Sequence, residues 1–177
     1  VGYDGVDLDV TTGSSSLNLH EAKSLSNIKF GDENFKEADL SGLSLIGCDF
    51  TGGNFDGADL SGAILTGAIF ENADLSGAKL KHSHLKNVDF TNADLSKADL
   101  SGADLTGADF TLADLSNTDF TNTTISQTTF FKAINVHNAV VAGVDKHRNY
   151  TMPNGSIPDG PGGFRSLVSS VIVDISG

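Results

Sequence analysis

Seven aspartates stand five residues apart, at Asp89, Asp94, Asp99, Asp104, Asp109, Asp114 and Asp119. Carboxylates at a fixed spacing could hold a cation, share acid and base roles in pairs, or present a negative surface. Lys79, Lys81, His82, His84 and Lys86 form the opposite feature, a short basic cluster. A histidine pair two apart could ligate a metal, but no acid or cysteine stands at suitable spacing within the cluster, so surface decoration is the better reading. A local partner-binding patch is the alternative. Calcium prefers several converging oxygens, and a row of parallel outward aspartates converges poorly. His20, His82, His84, His137 and His147 are scattered, and Ser and Asp recur so often that any Ser-His-Asp set is accidental. There is no phosphate loop, no zinc spacing and no G-x-S-x-G. The side chains therefore predict no enzyme, no cofactor and no metal site. They leave a candidate interaction surface made of the seven aspartates and the basic cluster.

What holds those side chains in place is a second series with the same step. From Phe30 to Phe130 every fifth residue is large and apolar, without a gap. Two positions before each stands a small residue, most often alanine, as at Ala58, Ala63, Ala68, Ala73 and Ala78. A helix turns about 100° per residue, so a step of five rotates the side chain by about 140° and produces no apolar stripe. A straight strand fails as well, because an odd step places successive large residues on opposite faces. The pattern is satisfied only if the chain turns a corner once per repeat and winds around a narrow core.

The number of corners per turn is written separately. Phe30, Phe50, Phe70, Phe90, Phe110 and Phe130 are spaced by twenty, whereas the other central positions are mostly leucine. Twenty residues per turn means four repeats per turn, hence a four-sided tube with a phenylalanine column on one wall. The residue two after most centres is Gly or Asn, as at Gly42, Gly47, Gly62 and Asn72, and these are the residues that tolerate positive φ in tight turns. Asp89, Asp94 and Asp99 then stack under Asp109, Asp114 and Asp119, with Asp39 and Asp59 lower on the face of Asp119. Stacked like charges repel, so a structural role for each carboxylate in fixing the turn backbone is expected beside the functional one.

Ala-Asp-Leu-Ser-Gly at 58–62, Ala-Asp-Leu-Ser-Lys at 93–97 and Ala-Asp-Leu-Thr-Gly at 103–107 resemble the A(D/N)LXX units of pentapeptide-repeat proteins, including cyanobacterial ones. The resemblance covers 28–130. It implies an all-β fold, a right-handed quadrilateral β-helix, in agreement with the four-sided coil; the handedness comes from the resemblance alone. About five coils at roughly 4.8 Å each give a tube roughly 25 Å long.

The remainder of the chain reads as three zones. Residues 1–27 are expected to be an N-terminal arm and cap, because an open solenoid end exposes core and strand edges. Residues 28–130 are the repeat, which should lose its register at Phe130 and Phe131. Residues 131–177 read as an irregular last coil, a Gly/Pro-rich loop over 145–163 and a Val/Ile-rich strand over 166–175 that caps the tube or pairs along it. Glu33 and Leu43 take inward positions meant for small residues, tolerable near an open end, and Gly53 marks a pinch in the wall. Cys48, the one cysteine, reads as a small buried hydrophobe.

Hydrophobic content is 38 % and there is no Trp, thin for a globular core but sufficient for a narrow one. The net charge of -12 argues against direct nucleic-acid binding. No apolar run approaches the roughly 20 residues of a membrane span, so no membrane insertion is expected. The chain opens on Val1, which predicts a processed or truncated chain: periplasm or thylakoid lumen if a signal peptide has been removed, otherwise cytoplasm. Three functions fit. The first is a non-enzymatic rigid interaction scaffold with an unknown protein partner, acting as a monomer or end-to-end dimer. The second, implied by the resemblance to the quinolone-resistance branch, is a DNA mimic that binds DNA gyrase. The third is a rod or spacer domain of a larger surface or phage assembly.

Overall fold

The structure is a computed structural model that describes residues 25–136 and 139–140. From Lys29 onward each outward residue bridges in parallel to the residue twenty positions later, from Lys29 with Asp49 through Asp114 with Ile134. A step of twenty with a corner every five residues gives four sides. Their central residues name them. The first face carries Phe30, Phe50, Phe70, Phe90, Phe110 and Phe130. The second carries Phe35, Phe55, Leu75, Leu95 and Leu115. The third carries Leu40, Leu60, Leu80, Leu100 and Phe120, and the fourth Leu25, Leu45, Leu65, Leu85, Leu105 and Ile125.

Hydrogen bonds run in two directions. At each corner the central carbonyl accepts from the amide three residues on, as Phe35 O does from Ala38 N–H at 2.9 Å. The residue just before that amide has positive φ, the requirement of a type II turn. Between coils, Leu40 N–H donates to Asp59 O at 2.8 Å and Asp59 N–H donates to Ala38 O at 2.9 Å, and the same pair of bonds recurs up the tube. Glycine and asparagine fill most corners, but Glu37, His82, Lys97, Leu112, Gln127 and Lys132 adopt the same left-handed conformation, with φ between 55° and 62°. Such a residue is held there at a cost of roughly 1–2 kcal/mol because the coil above and below over-determines it.

The two inward positions of each repeat form one continuous core. Leu95 and Leu100 are fully buried, as are Ala58, Ala63, Ala68 and Ala78. The phenylalanines of the first face stack with ring centroids 4.9 to 5.5 Å apart. Phe35 and Phe55 on the second face meet Phe50 edge-on, at 5.6 and 5.2 Å. This is where the alanine rule fails for a steric reason: a Cβ on Gly53 would sit 2.8 Å from Cε2 of Phe55 and 3.1 Å from Phe50 O. The wall pinches at Gly53 because a ring fills the space. Thr118, Thr123 and Thr128 replace alanine higher up without leaving a buried hydroxyl unpaired. They donate to the carbonyls of Leu95, Phe120 and Leu105, each at 2.8 Å. Cys48 is buried, and its thiol donates to Leu25 O.

Both ends of the repeat depart from the regular register. After Phe30 the positive φ falls on Gly31, one residue early, and Glu33 and Leu43 are only half-buried. At the other end the register does not stop at Phe130 and Phe131 as the sequence pattern suggested. Lys132 makes a regular corner, Ala133 is buried and Ile134 bridges to Asp114. One extra residue then enters: Asn135 takes the positive φ, Val136 takes the inward slot, and Asp119 bridges to Val140, twenty-one residues on. The N-terminal arm with His20, and His137, His147, the Gly/Pro loop and the Val/Ile-rich strand, lie outside the described residues.

Candidate interaction surface

Each outward aspartate belongs to its own corner. Oδ1 of Asp99 accepts from the amide of Ser101 at 3.0 Å and from its hydroxyl at 2.6 Å. Asp104 does the same with Thr106, at 3.1 and 2.6 Å, and Asp74 with Ser76, at 2.9 and 2.6 Å. Asp89, Asp94, Asp109, Asp114 and Asp119 likewise accept the amide two residues on through Oδ1. The sequence signal is therefore D-x-S/T, not the aspartate alone. One carboxylate oxygen closes an Asx turn, which satisfies a corner amide that the coil bonds do not use.

The second oxygen is what the turn leaves uncommitted, and the four faces dispose of it differently. On the third face Lys79 reaches Asp59 Oδ2 at 3.7 Å, and Lys81 reaches Asp99 Oδ2 at 3.0 Å. On the fourth, Lys86 reaches Asp104 Oδ2 at 3.2 Å. Lys79, Lys81 and Lys86 of the basic cluster are thus drawn into ion pairs with carboxylates of the coils above and below. His82 sits at a corner, with its ring over Gly102 in the space a Cβ would need. His84 is exposed on the fourth face between Ile64 and Asp104.

On the first and second faces Lys29 and Lys36 pair with Asp49 and Asp56 at the N-terminal end, at 3.7 and 2.7 Å. Above them Asp74, Asp89, Asp94, Asp109 and Asp114 have no cationic side chain within ion-pair distance among the described residues. Asp74, Asp94 and Asp114 lie in one vertical row, and Asp89 and Asp109 in the next. Asp119, on the third face, is also without a lysine among the described residues.

The electrostatics follow these contacts. Burial works to raise the Asp99 carboxyl, but the Ser101 hydroxyl and amide and the Lys81 ammonium outweigh it and hold the group below its ordinary range. Asp104 is held low in the same way, against burial, by Thr106 and Lys86. Burial works to raise Asp114 too, and it is held low without a cation, by Ser116 and the side-chain amide of Asn135. Sequence reasoning treated the seven aspartates as one ladder and the basic cluster as one patch. The structure divides the ladder by face and distributes the cluster's lysines over it. A lysine pairing with a carboxylate eighteen residues on, as Lys81 and Lys86 do, is a readable signal once the period of twenty is known.

The fold with its parallel bridges every twenty residues is that of a four-sided β-solenoid. The family model for pentapeptide repeats matches the chain in eight copies, which fall within the overlapping stretches 24–56, 34–72, 54–92, 73–111 and 100–134. The chain belongs to the pentapeptide-repeat family, whose members form right-handed quadrilateral β-helices. Similar solved structures include HetL, a pentapeptide repeat protein involved in heterocyst differentiation regulation from the cyanobacterium Nostoc sp. strain PCC 7120. It is 24% identical, with 73% of this chain and 64% of HetL covered and a TM-score of 0.39. A pentapeptide repeat protein of the Arabidopsis thaliana thylakoid lumen is 29% identical, with 70% and 71% covered and a TM-score of 0.42. Full-length QnrB1, a plasmid-mediated fluoroquinolone resistance protein, is 23% identical, with 83% and 88% covered and a TM-score of 0.26. No curated protein sequence matches the chain. Among the described residues no helix is long and apolar enough to cross a membrane.

Proposed function

We propose that the protein is a non-enzymatic rigid interaction scaffold, a rod of about five coils. Its partner-binding surface is the upper half of the first and second faces. The observation that supports this is the one-sided disposition of charge. Asp74, Asp89, Asp94, Asp109 and Asp114 have an uncommitted oxygen and no lysine within ion-pair distance among the described residues, whereas Asp59, Asp99 and Asp104 are paired; Asp119, at the top of the third face, is the exception on the paired side. Surface charge of one sign steers and orients a partner of the other sign, so the partner is a protein with a cationic face. The basic cluster serves the rod itself, through its ion pairs.

The test is affinity capture with two triple substitutions. Asp74→Asn, Asp94→Asn and Asp114→Asn keep the turn-closing oxygen and remove the charge of the second face. Asp39→Asn, Asp59→Asn and Asp99→Asn do so on the third face. Proteins retained by the parent at about 0.15 M salt, where surface charges act over about 8 Å, are expected to be lost with the second-face variant and kept with the third-face one. An identical captured set for all three would end the proposal. The same one-sided strip also favours a second reading, mimicry of DNA toward DNA gyrase. Inhibition of supercoiling by micromolar parent protein, relieved in the second-face variant, supports it; no effect on gyrase removes it and leaves the scaffold reading intact.

A further inference from the structure

The outward residues of the tube form rings, one residue per face, and two successive rings near the C-terminal end differ completely. Asp104, Asp109, Asp114 and Asp119 make a ring of four carboxylates. The ring bridged directly onto it is Thr124, Thr129, Ile134 and Val140. The outward ladder loses its carboxylates at that boundary on all four faces at once, and the charge that stands beside it is Lys132, whose ammonium lies 5.2 Å from the centroid of the Phe131 ring. Ile134 and Val140 are about half exposed, at 51% and 50%. Phe131 and Leu112 are exposed beside them at the corner of the first and second faces, where Leu112 N–H donates to Phe131 O at 3.0 Å. Large aliphatic and aromatic side chains replace Asp, Ser and Asn at these outward sites. A solenoid end leaves core and strand edges open unless something covers them.

We propose that this collar, free of carboxylates, is covered by residues 167–175 of the same chain. Thirty-seven residues follow Val140, and their last stretch contains Leu167, Val168, Val171, Ile172, Val173 and Ile175 with a single charge, Asp174. β-Branched residues of this kind suit a pleated, half-buried surface. The 26 residues between Val140 and Leu167 span far more than the width of the tube at about 3.3 Å each. Charge selects the place: the carboxylate rows on the first and second faces repel Asp174, and the collar does not. Another exposed apolar pair, Ile46 and Ile64, lies low on the fourth face and is flanked by Ser44 and His84, so it offers no matching ring.

Hydrogen exchange on the full chain tests the proposal. Amides of residues 167–175 are expected to exchange at least tenfold more slowly than in an unstructured peptide. In the Ile134→Asp, Val140→Asp double variant that protection should be lost, while Leu95 and Leu100 stay protected as the control for folding. Ile64→Asp should leave it unchanged. Absence of protection in the parent, or full protection in the double variant, overturns the proposal. Protection that rises with protein concentration also overturns it, because a second copy is then the occupant. If the double variant fails to fold, Ile134→Cys with Val171→Cys in a Cys48→Ala background decides. A short bismaleimide should join them within one chain; cross-links only between chains, or none, count against the proposal.

Discussion

On the third and fourth faces Asp99 and Asp104 close their corners with one oxygen and meet Lys81 and Lys86 with the other. On the first and second faces Asp109 and Asp114 close the same corners with the same oxygen, and no lysine stands near the second among the described residues. The backbone, the core behind it and the Asx turn are alike on both sides. What differs is the residue just after the centre in the coil below: Lys81 and Lys86 under Asp99 and Asp104, Thr91 and Ser96 under Asp109 and Asp114. A carboxylate in a repeat therefore has two separable parts: an oxygen that the fold uses everywhere, and an oxygen whose fate depends on the neighbouring coil. Counting aspartates measures the first; only the stacking of coils reveals the second.

The comparison presumes one core behind both sides, and that is where the largest effects are expected. Leu100→Lys should abolish soluble folding. Leu100→Ala on the third face and Leu115→Ala on the second should each cost roughly 2–5 kcal/mol in urea denaturation, because each opens a cavity in a fully packed interior. A several-fold difference between the two would mean that the sides differ in packing and not in charge alone.

The turn-closing oxygen comes next. Asp99→Ala and Asp94→Ala should each cost about 1.5–3 kcal/mol, the range for a hydrogen bond to a charged group, and by similar amounts on both sides. The asparagine variants retain an acceptor at the same place and should cost far less. If Asp94→Ala were silent while Asp99→Ala was not, the turn role would belong to the ion-paired side alone.

Acid then acts on the stabilised carboxylates. Asp49, Asp99, Asp104 and Asp114 are held below the ordinary value of 3.8 in the folded state. A depressed carboxyl contributes stability that is complete above its unfolded pKa and is lost as pH falls through the folded one. Melting temperature should therefore be insensitive to these groups between about pH 5 and 8 and fall below about pH 4. Replacing Asp99 and Asp104 by Asn should flatten the acid limb. An unchanged limb would show that other groups carry it.

The smallest effects separate the two sides most directly. The lysines are half-exposed, so Lys81→Met should change stability by less than about 1 kcal/mol. Asp94→Asn, which removes the middle charge of the Asp74, Asp94 and Asp114 row, should be neutral or stabilising by about 0.2–0.5 kcal/mol, since like charges face each other up the row. Asp99→Asn, which loses a lysine partner, should go the other way. A shared sign for the two would erase the distinction between the faces.

Much was readable in the linear chain because the fold repeats. The step of five fixed the corners, the phenylalanines at every twentieth position fixed the four sides, and Leu95 and Leu100 fall in the core as expected. The positive φ at Gly42 and Asn72 was readable too. Residues such as Leu112 and Lys97 in the same conformation were not, because only the coils above and below force an unfavourable residue into it. The early corner at Gly31 and the extra residue at Asn135 escaped a periodic reading, since both sit where one neighbouring coil is missing or irregular.

Sequence alone determined the period, the number of sides, the composition of the core and the existence of an acidic ladder, because each is set by covalent spacing and by which side chains leave water. Tertiary structure alone decided which aspartates meet a lysine with their second oxygen. Lys81 and Asp99 are eighteen residues apart in the chain and 3.0 Å apart in space. That contact arises from the stacking of one coil on the next. The same stacking sets the uncharged ring of Thr124, Thr129, Ile134 and Val140 on top of four aspartates, a boundary that no single repeat contains.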